Sequence, residues 1–305
     1  MTNQIKVNSL KAWALGIRPT SLAGALMTVV VGASLAHNVR EDLFSWPVTV
    51  LCGVFACLMQ VGANLINDVV DLKRGNDRPD PQRMDRIYAN GLLTLRAMWT
   101  GVGVALSLGA LVGLSIFMLV RENLPWGGYE LLLLGAVVIA FTFLYSTTFA
   151  YHGFGDLAVL LCFGIIPVCG TYYVLTYSLS WSALWASIIA GSSIDTLLII
   201  NNYRDRDEDP LSHKITSVVL FGETFGRYLY LFAGLLCILM VVLLYLNHHI
   251  SVWGLMYATI PYAVLHIGSW MKIQHFRIES AYQTVYLESP RNFMLLGILV
   301  GISLW

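Results

Sequence analysis

The chain has 305 residues, of which 57% are hydrophobic and only 12% are charged. This composition is too apolar for a soluble globular protein and is typical of a protein that crosses a membrane several times. The formal net charge is zero, so nothing in the overall charge indicates a nucleic-acid partner. The five cysteines all fall inside apolar stretches, where they are expected to pack as small hydrophobic side chains.

The chain begins with a polar segment and an amphipathic stretch that reaches Arg18, and apolar stretches then follow to the C-terminus. A helix needs about 20 apolar residues to cross the hydrocarbon core. Nine stretches approach or exceed this length: 20–37, 47–67, 97–120, 129–147, 156–177, 180–201, 225–246, 251–271 and 289–305. We therefore predict an all-α, polytopic membrane bundle of about nine transmembrane helices, which forms one integral-membrane domain over residues 1–305.

The lysines and arginines predict how these spans are oriented. All 18 except Arg40 and Arg121 lie before the first span or in and beside the loops that follow the second, sixth and eighth spans. Basic loops stay on the cytoplasmic side of a membrane. The N-terminus and these loops are therefore predicted to face the cytoplasm, with the protein in a bacterial inner membrane and its C-terminus outside.

Two polar segments each close an apolar span at the predicted cytoplasmic side. Their residues are Asn64, Asn67, Asp68 and Asp71 at the end of the second span, and Asn201, Arg204, Asp205 and Asp209 at the end of the sixth. On a helix, Asn64, Asp68 and Asp71 share one face, and we expect the same of Asn201, Asp205 and Asp209. Four spans separate the two segments, so both lie on one side of the membrane. Their matching positions also suggest two pseudo-repeated four-helix halves.

Acidic residues next to a membrane core are costly and are therefore candidates for function. Mg²⁺ takes oxygen ligands and is usually held by one or two carboxylates plus substrate phosphates. Two such faces, each holding a Mg²⁺, would clamp a diphosphate and activate it as a leaving group. Asn64 and Asn201 would add ligands or orient the carboxylates, and Lys73, Arg204 and Lys214 would neutralise phosphate charge. The alternative, solvated loop acids, does not explain the duplicated Asn-plus-two-Asp pattern.

The segments Asn64-x-x-Asn67-Asp68-x-x-Asp71 and Asp205-x-x-x-Asp209 resemble the two aspartate motifs of the UbiA-type membrane prenyltransferases, and the likeness covers nearly the whole chain. The resemblance implies a bundle of nine spans around a central cavity, in which Mg²⁺ holds an isoprenyl diphosphate. It also implies a prenyl tail that lies in a lateral opening to lipid, and an allylic cation that an aromatic acceptor attacks. Asp68, Asp71, Asp205 and Asp209 then carry the catalytic metal site.

Within this family, the branch that acts on 1,4-dihydroxy-2-naphthoate in menaquinone biosynthesis is the most similar. The likeness rests on the second motif with Lys214-Ile-Thr216, on Gly153-Phe-Gly155-Asp156 and Gly170-Thr171-Tyr172-Tyr173, on Arg18-Pro19, and on the gap between Asp71 and Asp77. One departure is that Asp80-Pro81-x-Arg83 and Arg86 stand where that branch typically has Gly-Pro-x-Arg. We expect the substrate cavity to include Arg18, Asn67, Asp77, Arg86 and Tyr145, although Tyr145 would also suit a membrane interface.

Two alternatives stay open. The same reaction on another aromatic acceptor, such as 4-hydroxybenzoate, would use the same fold, although that branch usually has a basic residue where this chain has Phe149. A secondary transporter built from two related halves would also carry acids in its bundle, but it would not release diphosphate. The expected partners are thus a prenyl diphosphate, an aromatic acceptor and the lipid bilayer, while prenyl chain length and oligomeric state are left open.

Overall fold

The computed structural model describes residues 5–75, 79, 86–274 and 279–305, the side chains of 279–283 excepted. One short helix precedes nine long ones in these ranges, and no β-strand occurs in them. The helices are α1 Leu10–Ile17, α2 Pro19–Val39, α3 Trp46–Lys73, α4 Leu95–Val120, α5 Tyr129–Thr147, α6 Gly155–Thr176, α7 Trp181–Asp205, α8 Ser217–Leu246, α9 Val252–Ile273 and α10 Glu279–Leu304. A helix therefore occupies each of the nine predicted spans.

Seven helices of the described chain, α2 to α8, are long and apolar enough to cross a membrane. The other two, α9 and α10, are of similar length but carry polar side chains such as His266, Glu288 and Arg291. Large apolar side chains are exposed along the bundle, including Met118 and Leu133, as lipid-facing surfaces require. The all-α polytopic membrane bundle is confirmed.

Serine and threonine side chains mark where helices begin. In each case the hydroxyl oxygen accepts a hydrogen bond from a backbone N–H in the first turn, and these residues are Ser9, Ser45, Thr94, Ser180, Thr216 and Ser251. Such caps satisfy amide groups that have no partner within the helix. Between α1 and α2 the chain turns sharply at Arg18, whose φ of 53° is left-handed. Pro19 then begins α2, a position where its missing N–H costs nothing.

One apolar cluster, around Ile199, Ile200 and Tyr203, holds the end of α7, and two others hold the rest of the motif-bearing helices. The larger cluster joins most of the long helices and extends toward the end of the bundle opposite the motifs, with Leu35, Ile189 and Leu244 among its buried members. A second cluster packs α1 against α3 and α4 through residues such as Ala12, Leu65 and Met98. The end of α3 that carries the first motif is therefore held from behind by α1 and α4.

Helices α6 and α7 approach closely because glycines face each other at their contact. A Cβ atom built on Gly164 would lie 2.5 Å from the carbonyl oxygen of Ser187, and one on Gly191 would lie 2.8 Å from Leu160. Small residues of this kind allow transmembrane helices to pack at short range. Gly164 also lies in a π-helical segment, Leu160–Cys169, within α6.

Several boundaries differ from the predictions. Helices α3 and α7 run on to Lys73 and Asp205, because polar residues at a span's end continue the backbone hydrogen bonding. The prediction that Asp209 shares a helix face with Asn201 and Asp205 is wrong, since α7 ends at Asp205. Asp209 instead begins a separate 3₁₀ helix, Asp209–Ser212, where the proline at position 210 disfavours the α conformation of the residue before it. The internal repeat stays a prediction.

Candidate active site

A cavity of about 670 Å³ lies inside the bundle, between α2 and the helices α3 to α7. Its deeper walls are apolar, whereas the end near the close of α3 and α7 is polar. The two motif segments face this same polar end, and the predicted site residues that line it are Arg18, Asn64, Asn67, Asp71, Asn201, Arg204, Asp205 and Lys214. The structure thus brings most of the predicted residues together around one space.

Asp71 is the carboxylate of the first motif that lines the cavity. It is buried, and its two oxygens accept hydrogen bonds from the Tyr151 hydroxyl at 2.7 Å and from the Asn67 amide at 2.8 Å. The guanidinium of Arg74 lies 4.1 Å from the centre of the Tyr151 ring, a favourable cation–π distance. The hydrogen bonds from Tyr151 and Asn67 fix the direction in which the Asp71 carboxylate points.

Asp68 and Asn64 lie on the same face of α3 and contact the junction between α1 and α2. Asp68 is buried behind Arg18, which approaches it to 3.1 Å, and its other oxygen accepts from the backbone N–H of Tyr88 at 2.7 Å. The Asn64 amide donates to the Ile17 carbonyl at 2.9 Å. In this conformation the Arg18 guanidinium therefore occupies the place next to Asp68 that a cation would take.

The second motif presents its carboxylates from two elements. Asp205, at the end of α7, forms a two-point ion pair with its neighbour Arg204. Asp209 is almost fully buried, and neither of its oxygens has a hydrogen-bond partner among the described residues, although Lys214 Nζ lies 3.4 Å from Oδ1. Burial raises the pKa of Asp209 to about 6; the charges of Asp205 and Asp71 act in the same direction and Lys214 opposes them.

The donor set suits Mg²⁺ bound jointly with substrate. Over the described parts of the chain, no three acidic, histidine or cysteine side chains converge on a single point. A closed cage is not what Mg²⁺ requires, since it keeps several waters and completes its shell with phosphate oxygens. Asp209, whose oxygens have no hydrogen-bond partner within the described ranges, and Asp71, at the cavity wall, are carboxylates of the kind that such an ion needs.

Some predicted residues lie elsewhere. Lys73 is exposed, and its ammonium group lies 6.0 Å from the centre of the Trp99 ring, so it points away from the cavity. Arg86 is half-buried and is not among the residues that line the cavity. Asp77 and Arg83 lie outside the described residues. Tyr145 lines the cavity.

Tyr151 is the clearest residue that the sequence interpretation missed. It belongs to a short turn between α5 and α6 and is 2% exposed. The available signal was its position, because the loop after the fourth span falls on the same side of the membrane as both motifs. The hydropathy pattern favours Tyr145 instead, because of these two tyrosines only Tyr145 lies within an apolar stretch.

A model described as the UbiA prenyltransferase family matches residues 25–294. The chain therefore belongs to the UbiA family of membrane prenyltransferases, as its motifs indicated. It is 34% identical over 233 residues to the 1,4-dihydroxy-2-naphthoate octaprenyltransferase of Mycobacterium tuberculosis, a match that covers 75% of this chain and 76% of that protein. The protein of the same name from Escherichia coli is 30% identical over 261 residues, covering 83% and 82%.

Solved structures support the fold. A UbiA homolog from Aeropyrum pernix superposes with a TM-score of 0.68 at 14% identity, covering 92% of this chain and 96% of that one. A UbiA homolog from Archaeoglobus fulgidus, solved with GPP and Mg²⁺, superposes with a TM-score of 0.58 at 15% identity, covering 95% and 99%. At these identities the likeness establishes the architecture around the cavity.

Proposed function

We propose that this protein transfers a polyprenyl group from a prenyl diphosphate to 1,4-dihydroxy-2-naphthoate, with loss of carbon dioxide, in menaquinone biosynthesis. The observation that supports the acceptor most directly is the 30–34% identity, over most of both chains, to proteins of that name. The cavity adds support, because both aspartate segments face its polar end and an apolar interior follows. We further propose that the chain is one domain with its N-terminus and motif loops cytoplasmic.

In this proposal the diphosphate lies between the two motif segments. Asp68 and Asp71, assisted by Asn64, hold one Mg²⁺, and Asp205 and Asp209, assisted by Asn201, hold the other. When bound, Mg²⁺ neutralises the diphosphate and stabilises the charge that develops as it leaves. Asn67 and Tyr151 orient the Asp71 carboxylate toward the cavity.

Cationic side chains at the polar end complete the diphosphate site. Lys214 lines the cavity beside Asp209, and Arg204 lines it beside Asp205. Arg18 lies between Asp68 and the cavity. With a cation held at Asp68, the Arg18 guanidinium would contact a phosphate oxygen instead, for which its planar donors are suited.

The apolar part of the cavity receives the prenyl chain and shelters the allylic cation. Aromatic rings of Phe141, Tyr145 and Phe163 line it, and such faces attract a cation while water is excluded. Leu114 of α4 and Leu132 of α5 line the cavity and are also exposed on the outside of the bundle. We propose that a tail too long for the cavity leaves toward lipid between these two helices.

The acceptor reacts at its carboxylate-bearing carbon. The new carbon–carbon bond forms there as the prenyl–oxygen bond to diphosphate breaks, and the carboxylate then leaves as carbon dioxide. Its departure restores the aromatic ring. The expected products are therefore a prenylated naphthalenediol, diphosphate and carbon dioxide in equal amounts.

The test is an assay of purified protein with Mg²⁺, a labelled prenyl diphosphate and separate acceptors, including 1,4-dihydroxy-2-naphthoate and 4-hydroxybenzoate. We expect prenylated product and carbon dioxide only with the naphthoate, and no turnover when Mg²⁺ is chelated or Asp205 is changed to Asn. Prenylation of 4-hydroxybenzoate alone would show that 4-hydroxybenzoate, and not the naphthoate, is the acceptor. A protein that never releases diphosphate would instead fit the transporter alternative.

A further inference from the structure

Two acids, the buried Asp195 and the half-buried Asp156, lie outside both motifs and have no role in the mechanism above. Asp195 lies within α7, where it is 8% exposed, and Asp156 is the second residue of α6. In each, the Oδ1 atom is buried and has no hydrogen-bond partner within the described residues. Ionisable groups inside membrane-spanning helices are costly and are typical of proton-handling or substrate sites.

The packing of α6 on α7 places these two carboxyl groups opposite each other. Leu198 lies 3.5 Å from a Cβ built on Gly155, and Leu160 lies 2.8 Å from one built on Gly191. Asp195 lies between Gly191 and Leu198 on α7, so it faces the first turn of α6, where Asp156 lies. The charges of the two carboxyl groups interact.

A pair of carboxyl groups in this setting behaves as one proton-binding unit. In the part of the chain described here, neither Asp156 nor Asp195 forms an ion pair with a lysine, arginine or histidine. Two neighbouring carboxylates in a low-dielectric site cannot both be ionised without great cost. Such a pair can accept or release a proton as one coupled system.

The pair also lies next to the substrate cavity. Tyr145 lines the cavity and its hydroxyl interacts with the charges of both carboxyl groups. Ser217, the first residue of α8, lines the cavity too and lies beside Asp156. Two hydroxyl groups thus stand between the acceptor's space and the carboxyl pair, and that of Tyr145 also lies near enough to Asp71 to interact with its charge.

We propose that Asp156 and Asp195 form a proton-sharing pair that takes the hydroxyl proton of the aromatic acceptor, through Tyr145 and Ser217, and returns it at the end of the reaction. This inference rests on the proposed function, since it concerns the acceptor half of that reaction. The two acids are positioning residues in the sense that they act through the hydroxyl groups that reach the cavity.

The step conserves protons, because the proton that the carboxyl pair takes up is later returned to the product. As the acceptor's O–H bond breaks, its electrons form a ring carbonyl, and the adjacent ring carbon bonds to the prenyl carbon while diphosphate leaves. The proton passes to the carboxyl pair. Loss of carbon dioxide then breaks the bond to the carboxylate carbon, the electron pair returns to the carbonyl oxygen, and that oxygen takes the proton back. No oxidant or further reactant is consumed.

The experiment compares two fates of the prenyl cation in the full-length enzyme. With Mg²⁺ and prenyl diphosphate, diphosphate release and prenyl alcohol report ionisation, whereas prenylated acceptor reports the step that needs the proton transfer. We expect Asp195→Asn and Asp156→Asn to reduce prenylated product by about 100-fold, a usual effect of removing an acid–base group. Diphosphate release is expected to stay within about twofold of wild type, and Asp195→Glu to recover part of the product.

Ser193→Ala is the matched control, because Ser193 is a buried residue of the same helix as Asp195 and its hydroxyl donates to the Ala190 carbonyl one turn earlier in that helix. It is expected to keep wild-type product. Wild-type prenylation by both Asn variants would overturn the inference, and so would an equal fall of diphosphate release and product, which marks a purely structural role. All variants are assayed with the acceptor that the wild-type enzyme prenylates. An error in the proposed acceptor would therefore appear in the wild-type assay and would not affect the comparison between variants.

Discussion

The hydrogen bond from Tyr151 to Asp71 offers a sharp test of how the first motif is held in place. Replacing Tyr151 with Phe removes only the hydroxyl that donates to Asp71 Oδ1 at 2.7 Å. The ring remains, so the contact with the Arg74 guanidinium at 4.1 Å is kept. The substitution therefore changes the orientation of one carboxylate without opening a cavity in the core.

The expected size of the effect follows from the kind of hydrogen bond that is lost. A hydrogen bond to a charged group contributes about 1.5–3 kcal/mol, and about 1.4 kcal/mol corresponds to a factor of ten. Loss of a group that orients a metal ligand commonly costs about 10–100-fold in metal affinity. We therefore expect Tyr151→Phe to weaken the apparent affinity for Mg²⁺ roughly 10- to 100-fold.

The assay is a Mg²⁺ titration of prenyl transfer at saturating prenyl diphosphate and acceptor. The variant should approach the wild-type kcat at high Mg²⁺, because the hydroxyl contacts Asp71 and not the reacting atoms. Tyr262→Phe is the matched control, since Tyr262 is also a fully buried tyrosine, but its hydroxyl has no hydrogen-bond partner among the described residues. A Tyr151→Phe enzyme with an unchanged Mg²⁺ dependence would refute the idea that Tyr151 orients a metal ligand.

Three further predictions concern charge and packing. Because burial raises the pKa of Asp209 to about 6, protons compete with Mg²⁺ for this carboxylate. Mg²⁺ titrations should therefore show an affinity that is constant well above pH 6 and falls as the pH decreases through about 6. An affinity that does not change with pH would contradict this. Lys214→Ala should raise the KM for prenyl diphosphate about tenfold. Lys73→Ala should change this KM less than about twofold, because Lys73 is exposed. Equal effects of the two substitutions would mean that both lysines contact the substrate. Gly164→Ala should destabilise the protein by about 1–3 kcal/mol in thermal unfolding, because the new Cβ would lie 2.5 Å from a backbone oxygen. The control Gly103→Ala should be neutral, because its Cβ would meet nothing within 4 Å. Equal melting temperatures of the two variants would contradict the close approach of α6 and α7.

Hydropathy predicted the helices well, because each membrane-spanning segment must satisfy its own backbone hydrogen bonds. The positions of Asp71 and Asp205 around one cavity also followed from the sequence, since an even number of spans separates them. Boundaries were less predictable. The apolar stretch that predicts the second span ends at residue 67, whereas α3 continues to Lys73. The helix continues because helical hydrogen bonding does not depend on apolar side chains.

Contacts between distant parts of the chain were beyond the sequence. The Tyr151–Asp71 hydrogen bond joins residues 80 positions apart, and Arg18 reaches Asp68 over 50. Asp209 was assigned to a helical face by counting residues, but a 3₁₀ helix and Pro210 give it a different direction. Such contacts depend on how loops fold back over the helix ends, which hydropathy does not describe.

The central claim is that the two aspartate segments each hold one divalent cation on a shared diphosphate. The most direct measurement is electron paramagnetic resonance of Mn²⁺, used in place of Mg²⁺, bound to the purified protein with inorganic pyrophosphate. Two Mn²⁺ ions per chain are expected in wild type, with about one retained when Asp71 or Asp205 alone is changed to Asn. A single Mn²⁺ in wild type, or binding that neither substitution alters, would contradict the account.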